Sequence, residues 1–178
     1  VKFNELMRAH TNFRIGGPAD AFYEARTVEE VKNALKASND LSIPYFILGI
    51  GANILVGDKG IRGLVIKMSN NYMEVVGPLP GGTKGLPKSE QTHYKSFDTD
   101  HYLKFDDLDM VEGEADTLVK SGAGVSLPVL ISWTLTQGLT GLQNFSGIPS
   151  SVGGSVYNNI HGGTKLIDQF IDKVVLLD

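Results

Sequence analysis

The 178-residue chain contains no cysteine and only one tryptophan. Disulfide bonds, thiolate catalysis and thiolate-bound zinc or iron–sulfur clusters are therefore excluded. Basic residues are also few: 16 Lys and Arg against 20 Asp and Glu give a formal charge of −4, so nucleic acid is not an expected partner. No signal peptide is recognisable and no apolar run approaches the roughly 18 residues that span a bilayer. These absences predict a soluble, cytoplasmic protein with no membrane partner.

Glycine, in contrast, is in excess, with 21 residues in 178, or about 12% against an ordinary usage of roughly 7%. The 42% of hydrophobic residues is ordinary for a folded protein, and glycine has no three-residue period. Disorder and a collagen helix are therefore not expected. A chain of this length predicts one domain, or two small lobes, with a core of its own.

Local patterns predict a first α/β lobe over residues 1–68. A strand is expected at 19–25, and Thr27 and Glu30 have the spacing of a capping box at the start of a helix that ends near Asn39. Short apolar runs between turns are typical of buried strands. Such runs occur at 43–48, 54–56 and 64–66.

Residues 69–114 are rich in turn formers and then in charge, which predicts a long surface excursion. A second lobe is expected over 115–178. Apolar residues at helical spacing follow Ser126, the expected N-cap of a helix. Strands are predicted at 115–121 and at 173–178, and because a domain seldom stops on an apolar strand, we expect the natural protein to continue further.

Three glycine-rich clusters follow strands or join them to helices, at 49–53, 122–124 and 147–154. Glycine permits a positive φ and a close approach to a ligand, so that consecutive amides can turn inward and bind an anion. A tight turn explains any one cluster, but the three together predict a phosphate site. His161, in a glycine-rich loop, is either a loop residue or part of a ligand site.

Commoner motifs are not matched. The first cluster lacks the third glycine of the dinucleotide fingerprint, because Ile54 stands there. Residues 82–84 have the wrong order for a Walker loop, and the serines of 146–155 form no hydrolase elbow. The histidines and aspartates of 93–101 are better explained as a solvated loop than as metal ligands, so no metal site is expected.

Three segments taken together resemble one family. In order and spacing they are similar to the flavin-binding part of the UDP-N-acetylenolpyruvoylglucosamine reductase (MurB, UDP-N-acetylmuramate dehydrogenase) family. The segments are TNFRIGGPAD at 11–20, GIGANILV at 49–56 and SGIPSSVGGSVYN at 146–158. The resemblance implies an α+β fold, a two-lobed FAD-binding domain of the vanillyl-alcohol-oxidase (PCMH) type, and it covers nearly the whole chain outside the excursion.

The resemblance also implies that the clusters hold FAD, the first around its diphosphate and the others near the ribityl chain, diphosphate and isoalloxazine ring. The implied cofactor-binding residues are Gly49, Ile50, Gly51, Ala52, Asn53, Ile54, Gly122, Ala123, Gly124, Gly147, Ile148, Pro149, Ser150, Ser151, Gly153 and Gly154. The full enzyme would pass a hydride from NADPH through FAD to enolpyruvyl-UDP-N-acetylglucosamine, forming UDP-N-acetylmuramate for peptidoglycan.

Several positions depart from the family. Ala52 stands where serine is usual, Ser150 where glycine is usual, and Ser151 where threonine is common. A run with a tyrosine in many members is shortened here to NIHGG at 159–163, so that tyrosine's role is not carried over. The family's catalytic arginine, glutamate and serine and its substrate domain lie downstream, so no catalytic residue is predicted in this chain.

Two alternatives stay open. The chain could belong to an FAD-dependent oxidase of another small hydroxylated substrate, or it could be a noncatalytic nucleotide-binding module. The sequence does not indicate an oligomeric state.

Overall fold

The computed structural model describes residues 1–80 and 116–177. Its strands are β1 (Lys2–Leu6), β2 (Pro18–Ala25), β3 (Tyr45–Leu48), β4 (Ile61–Met68), β5 (Met73–Pro78), β6 (Thr117–Ser121), β7 (His161–Gly162) and β8 (Lys165–Leu166). Its α-helices are α1 (Val28–Asp40), α2 (Leu127–Thr136) and α3 (Val152–Asn158). Short 3₁₀ turns occupy Met7–Ala9, Leu142–Phe145 and Ile167–Phe170.

Four strands form the first sheet, in the order β1-β2-β4-β3. β1 is antiparallel to β2, whereas β4 lies parallel between β2 and β3. The three parallel strands therefore end at one edge, where Met68 pairs with Ala25 and Lys67 pairs with Leu48. In open parallel sheets this carboxyl edge is where ligands bind.

Thr27 is the N-cap of α1, as predicted. Thr27 Oγ1 accepts a hydrogen bond from the Glu30 N–H at 3.1 Å, which satisfies one orphan amide of the helix start. The Glu30 carboxylate reaches back as predicted, but it accepts from the Arg26 N–H at 2.6 Å, one residue before the N–H that a capping box binds. The helix buries Val31 against Ile66 of β4, as its apolar spacing predicts.

Both faces of the central strand β4 pack in a core, because successive side chains of a strand point to opposite sides. In β4, Ile66 joins the α1 cluster, whereas its neighbour Val65 packs with Phe22 and Met7 in a second cluster. That second face is closed by loop residues such as Val56 instead of by a helix.

The second part of the chain has a separate core. β5 pairs antiparallel with β6, and α2 buries its predicted apolar face. Phe145 is fully buried in a cluster against which the single tryptophan, Trp133, packs. Gly138, just beyond α2, adopts φ +72°.

Several sequence predictions are wrong. Residues 54–56 form no strand, because their backbone pairs with no strand of the described ranges; they follow a loop from which Ile54 and Val56 pack into the core. Residues 173–177 are likewise not a strand. The predicted N-cap of α2, in contrast, is correct: Ser126 stands there, although its side chain makes no cap hydrogen bond. The Leu127 N–H donates to the Ser150 carbonyl.

The first part of the predicted excursion contains a strand, because β5 pairs with β6. Most of the predicted excursion, at 81–114, lies outside the described residues. Within the described ranges no helix is long and apolar enough to cross a bilayer.

Candidate functional site

The first glycine cluster leaves β3 at the carboxyl edge of the sheet. Five consecutive backbone N–H groups, at 49–53, donate no hydrogen bond to any residue of the described ranges. Gly51 is buried as well. Because a buried amide without an acceptor is costly, this loop suits an anion that presents several oxygen atoms.

The glycines of this loop are required by the protein around it. A Cβ at Gly51 would lie 2.0 Å from the His10 carbonyl oxygen, and a Cβ at Gly49 would lie 2.3 Å from Ser151 Oγ. The Gly51 carbonyl also accepts a hydrogen bond from the Asn12 N–H at 3.0 Å. Close packing of neighbouring segments therefore fixes the loop before any ligand is considered.

The segment 11–20 has a supporting role of the same kind. A Cβ at Gly17 would lie 1.9 Å from the Asp58 carbonyl oxygen, and a Cβ at Gly60 would lie 1.7 Å from that of Pro18. The Gly17 N–H donates to the Gly57 carbonyl at 3.0 Å. The two stretches interlock through their backbones and hold the far end of the first loop.

The second and third clusters bind each other. The Gly153 N–H donates to the Ala123 carbonyl at 2.9 Å, and the Val152 N–H donates to the Val125 carbonyl at 2.8 Å. Ser151 is buried and caps α3, its Oγ accepting from the Gly154 N–H at 3.2 Å. Because Ser151 also touches Gly49, the three predicted clusters meet around the start of α3.

The clusters differ in what they offer a ligand. The N–H groups of Gly122, Gly124, Gly153 and Gly154 already donate within the protein, unlike those of 49–53. Gly147 has φ +82° with open space on its Cβ side, and Ile148 turns into the core. The sequence could not distinguish these roles, because every cluster shows the same excess of glycine.

One buried hydroxyl in this region lacks a partner. Ser155 is 1% exposed, and no described residue accepts from or donates to its Oγ. It lies four residues after Ser151, hence on the same face of α3. His161, in contrast, is exposed in the β7–β8 hairpin, where it pairs with Leu166, and its part in a ligand site stays a prediction.

No metal centre is evident among the described residues, where no three His, Asp or Glu side chains are grouped to hold an ion. The histidines and aspartates of 93–101 lie outside those ranges.

A hydrogen-bonded carboxylate, that of Glu5, supports the segment that contacts Gly51. Glu5 Oε1 lies 2.9 Å from His10 Nε2 and 3.3 Å from Lys2 Nζ. The hydrogen bonds from His10 and then from Lys2 hold the pKa of Glu5 below its ordinary value of 4.5. The His10 ring stacks on buried Phe22, with 4.3 Å between the ring centroids.

We expect the Glu5 carboxylate to make the stability of the fold dependent on acid pH. The pKa of Glu5 is lower in the folded than in the unfolded chain. Its contribution to stability is therefore present above about pH 4.5 and is lost as the pH falls through the lowered pKa of the folded state. The difference in unfolding free energy between wild type and Glu5→Gln, measured in urea, should therefore be larger at about pH 7 than at about pH 3. An equal difference at both pH values contradicts this assignment. His10→Ala should return the Glu5 pKa, measured by NMR titration, towards its ordinary value.

No protein-family model matches the chain. The UDP-N-acetylenolpyruvoylglucosamine reductase of Clostridium tetani is 34% identical over 178 residues, which are 100% of this chain and 46% of the relative. That of Halalkalibacterium halodurans is 33% identical over 177 residues, 99% of this chain and again 46% of the relative. The chain thus spans about half the length of the curated relatives it matches.

A solved structure agrees with these relatives. The crystal structure of UDP-N-acetylenolpyruvylglucosamine reductase (MurB) from Thermus caldophilus matches with a TM-score of 0.55 and 28% identity, covering 90% of this chain and 42% of that one. The predicted α+β fold class is confirmed by this match. The chain is thus a homologue of the UDP-N-acetylenolpyruvoylglucosamine reductases (MurB) over somewhat less than half of their length.

Proposed function

We propose that this chain binds FAD for a reductase of the MurB type. In the full-length protein a hydride would pass from NADPH through FAD to enolpyruvyl-UDP-N-acetylglucosamine, a sugar nucleotide, giving UDP-N-acetylmuramate for peptidoglycan. A cytoplasmic location is part of the same proposal. The observation that carries it is the run of backbone amides at 49–53, which donate to no described residue and lie at the carboxyl edge of the parallel strands.

The chemistry of this loop fits a diphosphate. Phosphate oxygens are strong acceptors, and several amides converging on them supply partial positive charge without a basic side chain. The net charge of −4 is therefore no obstacle, because attraction is local to the loop. Residues 49–54 would hold the diphosphate, while Ala123 and residues 147–151 would lie beside the rest of the cofactor.

FAD, when bound, supplies the hydride chemistry, and the chain supplies position. Gly49 and Gly51 fix the loop by their close contacts, and Ser151 joins it to the second part of the chain. Ala52 lacks the hydroxyl that the family usually presents there, a contact worth about 1 kcal/mol. No residue of this chain is assigned a catalytic role.

The experiment is a titration of the purified chain with FAD, followed by visible absorption and by quenching of flavin fluorescence. We expect uptake of one FAD per chain, and Ala52→Ser should tighten binding by up to about tenfold, since one hydrogen bond is added. Gly57→Ala serves as a control, because nothing lies within 4 Å of that position.

A colourless chain that takes up no FAD would overturn the proposal. Release of a different phosphate ligand on denaturation would favour a noncatalytic nucleotide-binding module. Turnover of enolpyruvyl-UDP-N-acetylglucosamine with NADPH by the full-length protein separates the reductase from an oxidase of another substrate.

A further inference from the structure

Asn70 lies just beyond β4 and is buried, with 6% of its surface exposed. Its Oδ1 accepts a hydrogen bond from the Gly124 N–H at 2.8 Å, across 54 positions of sequence. Its backbone is equally close: a Cβ at Gly122 would lie 2.1 Å from the Asn70 carbonyl oxygen, and one at Gly124 would lie 2.7 Å from the Asn70 nitrogen. The second glycine cluster is therefore seated on the end of the first sheet.

Asn70 and the loop at 49–53, called the free-amide loop because its N–H groups donate to no described residue, follow neighbouring strands. Leu48 of β3 pairs with Lys67 of β4, so the loop at 49–53 and Asn70 both follow the same edge of the sheet. Strand pairing fixes the separation of these two exits, because parallel neighbours are held about 4.8 Å apart.

Contacts that start at the ends of these two strands form a closed ring of residues. On one side Gly49 touches Ser151, and on the other side Asn70 holds Gly124. The two sides meet where the Gly153 N–H donates to the Ala123 carbonyl. On its side of the ring, the Asn70 side chain supplies the hydrogen bond that holds the second cluster.

We propose that Asn70 is a positioning residue for the candidate site. The identity of the ligand, FAD, rests on the proposed function. By fixing Gly124, its side chain sets the distance between the free-amide loop and the start of α3. Gly124 lacks a Cβ and samples a wide range of backbone angles once released. Without the Asn70 oxygen, its N–H has no partner among the described residues, so the second and third clusters would shift together.

The test compares Asn70→Ala and Asn70→Leu with wild type in the 178-residue chain. Both variants remove the accepting oxygen, and leucine keeps most of the side-chain volume, so that loss of packing is controlled. We expect the Kd for FAD to rise about tenfold or more, and hydrogen exchange of the Gly124 amide, followed by NMR without ligand, to accelerate about tenfold or more. Asn70→Asp keeps an accepting oxygen and should retain slow exchange at Gly124.

Ser38→Ala is the matched control. Ser38 is also buried, and its hydroxyl also bonds a backbone group, since it donates to the Ile43 carbonyl. It lies in the last turn of α1, before β3, and belongs to none of the three clusters. We expect a lower Tm with the Kd for FAD and the Gly124 exchange rate changed less than about twofold.

Unchanged FAD binding in both Asn70→Ala and Asn70→Leu would overturn the inference, as would effects on Kd that Ser38→Ala reproduces. If the wild type binds no FAD, the proposed function fails. Hydrogen exchange of the Gly124 amide then decides alone whether Asn70 positions the second cluster. Faster exchange of the Gly124 amide in Asn70→Leu, with slow exchange kept in Asn70→Asp, supports the positioning role of Asn70. Equal exchange rates in all variants refute it.

Discussion

Replacing Gly51 with alanine is expected to lower the free energy of unfolding by about 3 kcal/mol and to abolish FAD binding. Gly51 adopts φ +72°, a conformation that disfavours side chains, and a Cβ there would lie 2.0 Å from the His10 carbonyl oxygen. Backbone cannot yield as a flexible side chain does. The loop must therefore move away from His10 and lose its hydrogen bond from Asn12.

Gly57→Ala is the matched control for this prediction. Nothing lies within 4 Å of a Cβ at Gly57, and its φ is outside the left-handed range. Its unfolding free energy should stay within about 0.5 kcal/mol of wild type, with FAD binding preserved. Urea unfolding followed by far-UV circular dichroism and the FAD titration measure both effects. Equal stability of the two variants would show that the Gly51 contact is not restrictive.

Phe145→Ala is expected to cost about 3–5 kcal/mol, because it removes a large side chain from a closed core. Phe145 is 0% exposed and packs edge-to-face on Phe170, with 5.5 Å between ring centroids. Ile148 and Val152, from the third glycine cluster, pack on the same core. FAD binding should therefore weaken too, although Phe145 is not among the proposed contact residues.

Tyr157→Ala tests whether this effect is specific to the core. Tyr157 lies on α3, which carries the third cluster, yet it is 91% exposed. We expect a change of less than about 0.5 kcal/mol in urea unfolding. A cost of about 1 kcal/mol or less for Phe145→Ala would mean that the second core collapses around the cavity.

Elements with strong local signals were predictable. The capping residues Thr27 and Glu30 and the apolar spacing of α1 and α2 are properties of a few neighbouring residues, and the structure confirms them. Apolar content alone was misleading at 54–56 and 173–177, because a short apolar run does not reveal whether a neighbouring strand is available. β5 was missed because its partner, β6, lies beyond a long polar stretch.

The candidate site was predictable only as three separate clusters of glycine. Its three clusters stand out by composition, but their convergence at Ser151 depends on contacts between residues far apart in sequence. Asn70 and His10 were missed for the same reason, since neither stands in a glycine-rich stretch. A signal for Asn70 does exist: a polar residue just past a parallel strand lies at the ligand-binding edge of a sheet.

The strand order β1-β2-β4-β3 has a consequence for folding during synthesis on the ribosome. β3 pairs with β4 and with no other described strand, and β4 is the last of the four to be synthesised. Until residue 68 has emerged, the apolar edge at Tyr45–Leu48 has no partner and the loop that follows has no fixed base. Such unpaired edges invite aggregation during synthesis. The synthesis of β4 thus completes the sheet and gives the loop at 49–53 its base in the same step.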